Sequence, residues 1–130
     1  MRFFLLVLCL PLFNSCQEIS RDCNDFRTGT FEFEALVGTE IQKTVFVRSD
    51  SIEIDYYQGK ADTASIRWIN DCEYIVKKLH PRNRNEEKAI HMKIITTNGL
   101  EYTFEYSEVG KSRKERGVAK KVSNNARRPQ

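Results

Sequence analysis

Along most of this chain apolar and polar residues alternate one for one, and no stretch carries the wider spacing of a useful amphipathic helix. The clearest case runs from Ala64 to Leu79. Ala64, Ile66 and Trp68 alternate with Ser65 and Arg67, the period of a half-buried strand. Asn70-Asp71 then offers a tight turn, because both residues tolerate left-handed backbone, and Cys72 to Leu79 is predicted to fold back beside the first strand.

The same pattern extends in both directions. Phe31, Phe33 and Ala35 face one way on a first strand that begins near Gly29, and Thr30, Glu32 and Glu34 face the other. After Gly38-Thr39 the alternation resumes over Glu40 to Arg48, with Val45 and Val47 opposite Phe46. Beyond the turn cluster Ser49-Asp50-Ser51, the pattern predicts Ile52, Ile54 and Tyr56 facing inward and Glu53 and Asp55 outward. The segment from His80 to Ala89 is the longest polar interruption. Its Pro81 cannot donate to a ladder, so a loop is expected, with at most one helical turn at Asn85 to Ala89. Ile90 to Thr97 and Leu100 to Ser107 flank Asn98-Gly99, a strong hairpin signal, and Val118 and Val122 outline a last strand. Hairpins need few connecting residues and parallel crossovers need many, so the expected fold is all-β, an antiparallel meander of about eight strands. It closes as a small barrel, lipocalin-like in outline, or stays open as a strongly curved sheet.

The first residues predict an address rather than structure. Arg2 precedes the apolar run FFLLVLCLPLF, and at about 11 residues that run is too short for a helix that crosses a bilayer, which takes about 20. Residues 1–15 therefore read as a secretory signal peptide. Ser15 before Cys16 resembles the lipobox of bacterial lipoproteins, in which the cysteine receives a diacylglycerol and becomes the first mature residue. The organisation expected is a signal peptide over 1–15, a lipid-anchored tether over 16–22, a β domain over 23–122 and a disordered basic tail over 123–130. Cys9 leaves with the leader and Cys16 carries the lipid, so Cys23 and Cys72 remain. An oxidising compartment favours a bridge between them, with two buried thiols as the other arrangement.

Charge is uneven along the chain. Residues 111–130 carry eight basic residues against Glu115, a net +7, whereas residues 16–110 carry twelve basic and seventeen acidic residues, a net −5. Lys111, Arg113, Lys114, Arg116, Lys120 and Lys121 are candidates for meeting lipid headgroups or another anionic surface.

Catalytic constellations do not emerge. His80 and His91 have no second ligand at metal spacing, Glu86-Glu87 lies in a polar loop, and no nucleophile elbow, phosphate loop or zinc motif occurs. The expectation is a binding or scaffolding protein rather than an enzyme, with no cofactor and no metal. Phe33, Tyr56, Trp68, Tyr102, Phe104 and Tyr106 fall on expected inner faces, and together they could line a partly polar pocket for a small apolar or amphipathic ligand. A module that docks on another envelope protein through the basic C-terminus is the alternative.

Three segments are similar to a known group: DFRTGTF at Asp25 to Phe31, IRWINDCEY at Ile66 to Tyr74, and TFEY at Thr103 to Tyr106. They resemble a family of small β-rich bacterial envelope lipoproteins of unknown function, over roughly Cys23 to Gly117. The resemblance implies an anchored protein of the cell envelope, in contact with the membrane through its lipid. Chains of this kind sometimes carry the name DNA topoisomerase IV. Such an enzyme needs a nucleotide-binding domain, a catalytic tyrosine in a winged helix and an acidic metal site, spread over far more residues than the 130 of this chain. A nucleic-acid partner is accordingly not expected, since no recognition helix or stacking platform accompanies the basic residues.

Overall fold

A computed structural model describes residue 16 and residues 19–126, so the expected signal peptide and the last four residues of the expected tail lie outside the described residues. A short 3-10 helix, Asn24–Phe26, precedes eight strands: β1 (Gly29–Val37), β2 (Glu40–Arg48), β3 (Ile52–Tyr57), β4 (Lys60–Asn70), β5 (Glu73–Lys78), β6 (Ile90–Asn98), β7 (Glu101–Glu108) and β8 (Glu115–Ser123). Each strand pairs antiparallel with the next, and β8 pairs with β1 to close a barrel. The segment from His80 to Ala89 is a loop. Glu87 N donates to Asn83 O and Lys88 N to Asn85 O, which makes a turn but no helix.

Side-chain parity decides the details of this barrel. A two-residue hairpin pairs an odd-numbered residue with an even-numbered one, so strands joined that way must carry their inward faces on opposite parities. Phe31 pairs with Phe46 across the β1–β2 turn and satisfies the rule directly. Inward residues are even on both β4 and β5, where Trp68 faces Tyr74, and even on both β6 and β7, where Ile94 faces Phe104. Both hairpins resolve the conflict with a bulge, between Trp68 and Asn70 and between Ile94 and Thr96. Their turns fall at Asp71-Cys72 and Gly99-Leu100, one residue later than the Asn70-Asp71 and Asn98-Gly99 pairs predicted. Burial of the aromatic face outweighs the local turn preference.

The expected facing of β3 is reversed. Gln58 (φ 48°) and Gly59 (φ 74°) form a two-residue turn with both residues left-handed, and this turn pairs Asp55 with Asp62 and Tyr57 with Lys60. With β4 even inward, β3 must be odd inward. Glu53, Asp55 and Tyr57 therefore face the interior, while Ile54 and Tyr56 lie outside beside Val47 and Val45 of β2.

One end of the barrel is closed by the chain that precedes β1. Cys23 and Cys72 form a disulfide that ties this segment to the β4–β5 turn. Further along it, Thr97 N donates to Ser20 O and the Arg21 Nε donates to Ile94 O at 2.9 Å each. Phe26 is thereby held against Tyr102 and Phe31, with ring centroids 4.9 and 6.5 Å away, and the buried core of Phe31, Phe46, Ile94, Tyr102, Phe104 and Ala119 gathers above it. The opposite end, formed by the β1–β2, β3–β4, β5–β6 and β7–β8 connections, is the mouth.

The seam between β1 and β8 is short. Thr30 to Phe33 pair with Ser123 to Ala119, and the rest of β1 has no partner on β8. A lateral cleft of about 610 Å³ opens there, lined in part by Ala35, Leu36, Val118 and Tyr106. Gly117 lies beside it. A Cβ at Gly117 would come within 2.6 Å of Phe104 Cζ and 2.8 Å of Phe33 Cε2, so glycine is what lets these two rings meet at 5.6 Å.

Candidate functional site

The floor of the interior is an arginine. Arg48 ends β2 with an accessibility of 1 %, and its guanidinium makes four hydrogen bonds to protein groups. Nε donates to Glu53 at 2.8 Å, Nη1 to the carbonyl of Phe26 at 2.8 Å, and Nη2 to the hydroxyls of Tyr74 at 2.7 Å and Tyr102 at 3.3 Å. The rings of Tyr74 and Phe31 also lie 4.7 and 5.1 Å from its central carbon. Burial works against the charge, and the oxygens of Tyr102, Tyr74 and Glu53 outweigh it, so Arg48 stays protonated. Burial likewise pushes both tyrosines above their usual range, which keeps them neutral donors and acceptors.

Above this floor lies a cavity of about 820 Å³ that opens at the mouth. Such a volume falls within the range of about 300–1,000 Å³ usual for small-molecule sites. Its two sides differ in chemistry. Phe33, Phe46, Ile90, Met92, Phe104 and Tyr106 supply an apolar and aromatic wall, while Glu53, Asp55, Asp62 and Lys78 supply a charged one on β3, β4 and β5. Lys60, Arg82, Glu86 and Lys88 stand nearer the mouth.

Most of these charges are matched. Glu53 is held by Arg48, and Lys78 sits 2.7 Å from Asp62 and 3.4 Å from Glu86. Arg82 pairs with Glu86 at 3.6 Å, and Lys88 with Glu108 at 3.6 Å. The carboxylate of Asp55 makes no hydrogen bond or ion pair among the described residues. Burial, followed by the neighbouring charges of Glu53 and Asp62, raises its pKa from 3.8 to about 7 against the opposing pull of Arg48 and Lys78. The sign of the resulting pH dependence follows directly. From pH 3.8 upward the unfolded chain ionises at this position while the folded one keeps its proton up to about 7, so stability contributed by Asp55 is lost across that window as pH rises.

The residues expected to line a pocket divide into two groups. Phe33, Tyr102, Phe104 and Tyr106 do line the cavity. Tyr56 does not, because the reversal of β3 places it on the outer face. Trp68 faces inward but lies below the cavity, its ring 4.5 Å from Tyr74 and covered by the Arg27 guanidinium at 4.6 Å. Arg48, Glu53, Asp55, Asp62 and Lys78 were not foreseen as lining residues.

The six basic residues do not form one face. Lys111, Arg113 and Lys114 lie in the β7–β8 connection at the mouth, whereas Lys120 and Lys121 are near the closed end. Arg113 pairs with Glu115 at 3.2 Å, and Lys114 and Arg116 with Glu105 at 3.4 and 3.3 Å. Lys121 turns back to donate to the carbonyl of Asp25. The expected tail also begins later than predicted, since Ser123 belongs to β8 and the Thr30 hydroxyl donates to Asn125 O at 2.7 Å.

No protein family, curated protein or solved structure matches this chain.

Proposed function

We propose that this protein is a lipid-anchored carrier or sensor of the cell envelope that holds one small amphipathic molecule inside its barrel. The observation that carries the reading is the 820 Å³ cavity, apolar on one wall and charged on the other, above a floor whose polar groups are already bonded to each other. A chain selected only for a packed core would fill this volume with side chains, as eight-stranded barrels can. Docking through a single basic terminus has less support, because the basic residues are split between the two ends of the barrel and four of the six are engaged within it.

The direct test is a titration of purified mature protein with 1-aminoanthracene, a small neutral fluorophore. One saturable site is expected, and Met92→Trp, which places a large ring in the cavity, should weaken it at least tenfold while leaving the β-sheet circular dichroism unchanged. Binding that does not saturate, or that Met92→Trp leaves untouched, would remove the cavity from the account.

The anchor rests on the sequence before the barrel, where the apolar leader ends at Ser15-Cys16. Cys16 is exposed and free of any disulfide. In cells fed a labelled fatty acid, Cys16→Ala should lose the label and leave the membrane fraction; retained label would place the anchor elsewhere.

A further inference from the structure

The geometry points to an organic cation as the ligand, with its ammonium against Asp55 and its apolar body on the wall of Phe46, Met92 and Phe104. This inference rests on the cavity-binding reading above and adds the charge of the molecule bound.

The interior offers little to an anion. Four donors of Arg48 are committed to Glu53, Phe26, Tyr74 and Tyr102, and Lys78 is shared between Asp62 and Glu86. Lys60 is the one lining cation without an acidic partner among the described residues, and it is exposed at the mouth in register with Tyr57. Asp55 is the converse, a partly buried carboxyl facing the cavity with no cation of its own.

Its surroundings suit an ammonium. Glu53 on the same strand and Asp62 directly across on β4 add negative potential, while Arg48 on β2 and Lys78 on β5 are each turned to another carboxylate. Phe46 is the cross-strand neighbour of Asp55 on β2, so a ring stands beside the carboxylate for a cation to rest on. The carboxylates do not converge on a point that could hold a metal ion. The volume exceeds what a bare ammonium needs, which calls for an apolar body on the same molecule. Protonation of Asp55 competes with such a ligand, so affinity should fall as pH drops below about 7.

The experiment is displacement of 1-aminoanthracene by octylamine, octanol and octanoate, compounds matched in chain and different in charge. At pH 8 octylamine is expected to displace the probe at a concentration at least tenfold below the other two, with that advantage shrinking by pH 5. Asp55→Asn should abolish the preference and leave octanol unchanged. This variant should also fold, melting above the wild type at pH 8 and approaching it toward pH 4. If octanoate or octanol matches octylamine, or if Asp55→Asn keeps the preference, the cation assignment fails while the cavity stands. If the probe itself does not bind, both readings fail together.

Discussion

Arg48→Met should melt at least about 12 °C below the wild type at neutral pH. The substitution keeps the length of the side chain but strands Glu53, 8 % accessible, without its only ion-pair partner among the described residues, and releases the Phe26 carbonyl and two buried tyrosine hydroxyls. Removing one partner of a buried pair costs about 3–5 kcal/mol, and about 4–8 °C of melting temperature accompanies each kcal/mol in a domain of this size. The double variant Arg48→Met with Glu53→Gln should recover a substantial part of the loss, because no isolated charge remains inside. Thermal melts followed by circular dichroism compare the three proteins. A single variant that melts within about 3 °C of the wild type, a loss of less than about 1 kcal/mol, would show that the floor does not depend on the arginine.

Replacing Cys23 and Cys72 together by Ser should cost about 4 kcal/mol, the chain-entropy value for a loop with a sequence separation of 49. The bridge also fixes the plug. Ser20, Arg21 and Asp22 reach β6 through Thr97 and Ile94, and Phe26 seals the floor at 2 % accessibility. Urea titrations with and without reductant give the measurement. Equal midpoints for oxidised and reduced protein would mean that the segment stays seated by its hydrogen bonds and Phe26 alone.

Much of the barrel was legible from side-chain alternation, because a strand half exposed to water and half to a core must alternate. The bridged cysteines were legible from cysteine parity and from the oxidising compartment expected of an exported chain, and four of the six lining aromatics from the faces of β1 and β7. The reversed facing of β3 was not. Ile52, Ile54 and Tyr56 form the more apolar set, and transfer energy alone turns them inward. What overrides it is the left-handed pair Gln58-Gly59, whose two-residue turn locks the parity of β3 to that of β4. Trp68 on an even position, read together with that turn, was the available signal. Asp55 and Glu53 were missed for the same reason, and Arg48 because nothing in a strand-terminal basic residue announces four buried acceptors around it. The bulges in β4 and β6 follow the same rule in the other direction.

The seating of the first residues on β6 also sets which end of the barrel Cys16 lies near. Only three residues lie between Cys16 and Ser20, whose carbonyl Thr97 holds, so the four steps from one to the other reach about 14 Å even when fully stretched. A lipid on Cys16 would thus moor the vessel by its base, with the rim turned toward the aqueous phase. With such a mooring, cargo would be loaded and surrendered by way of water or a soluble courier, and the bilayer would be a berth and not the reservoir.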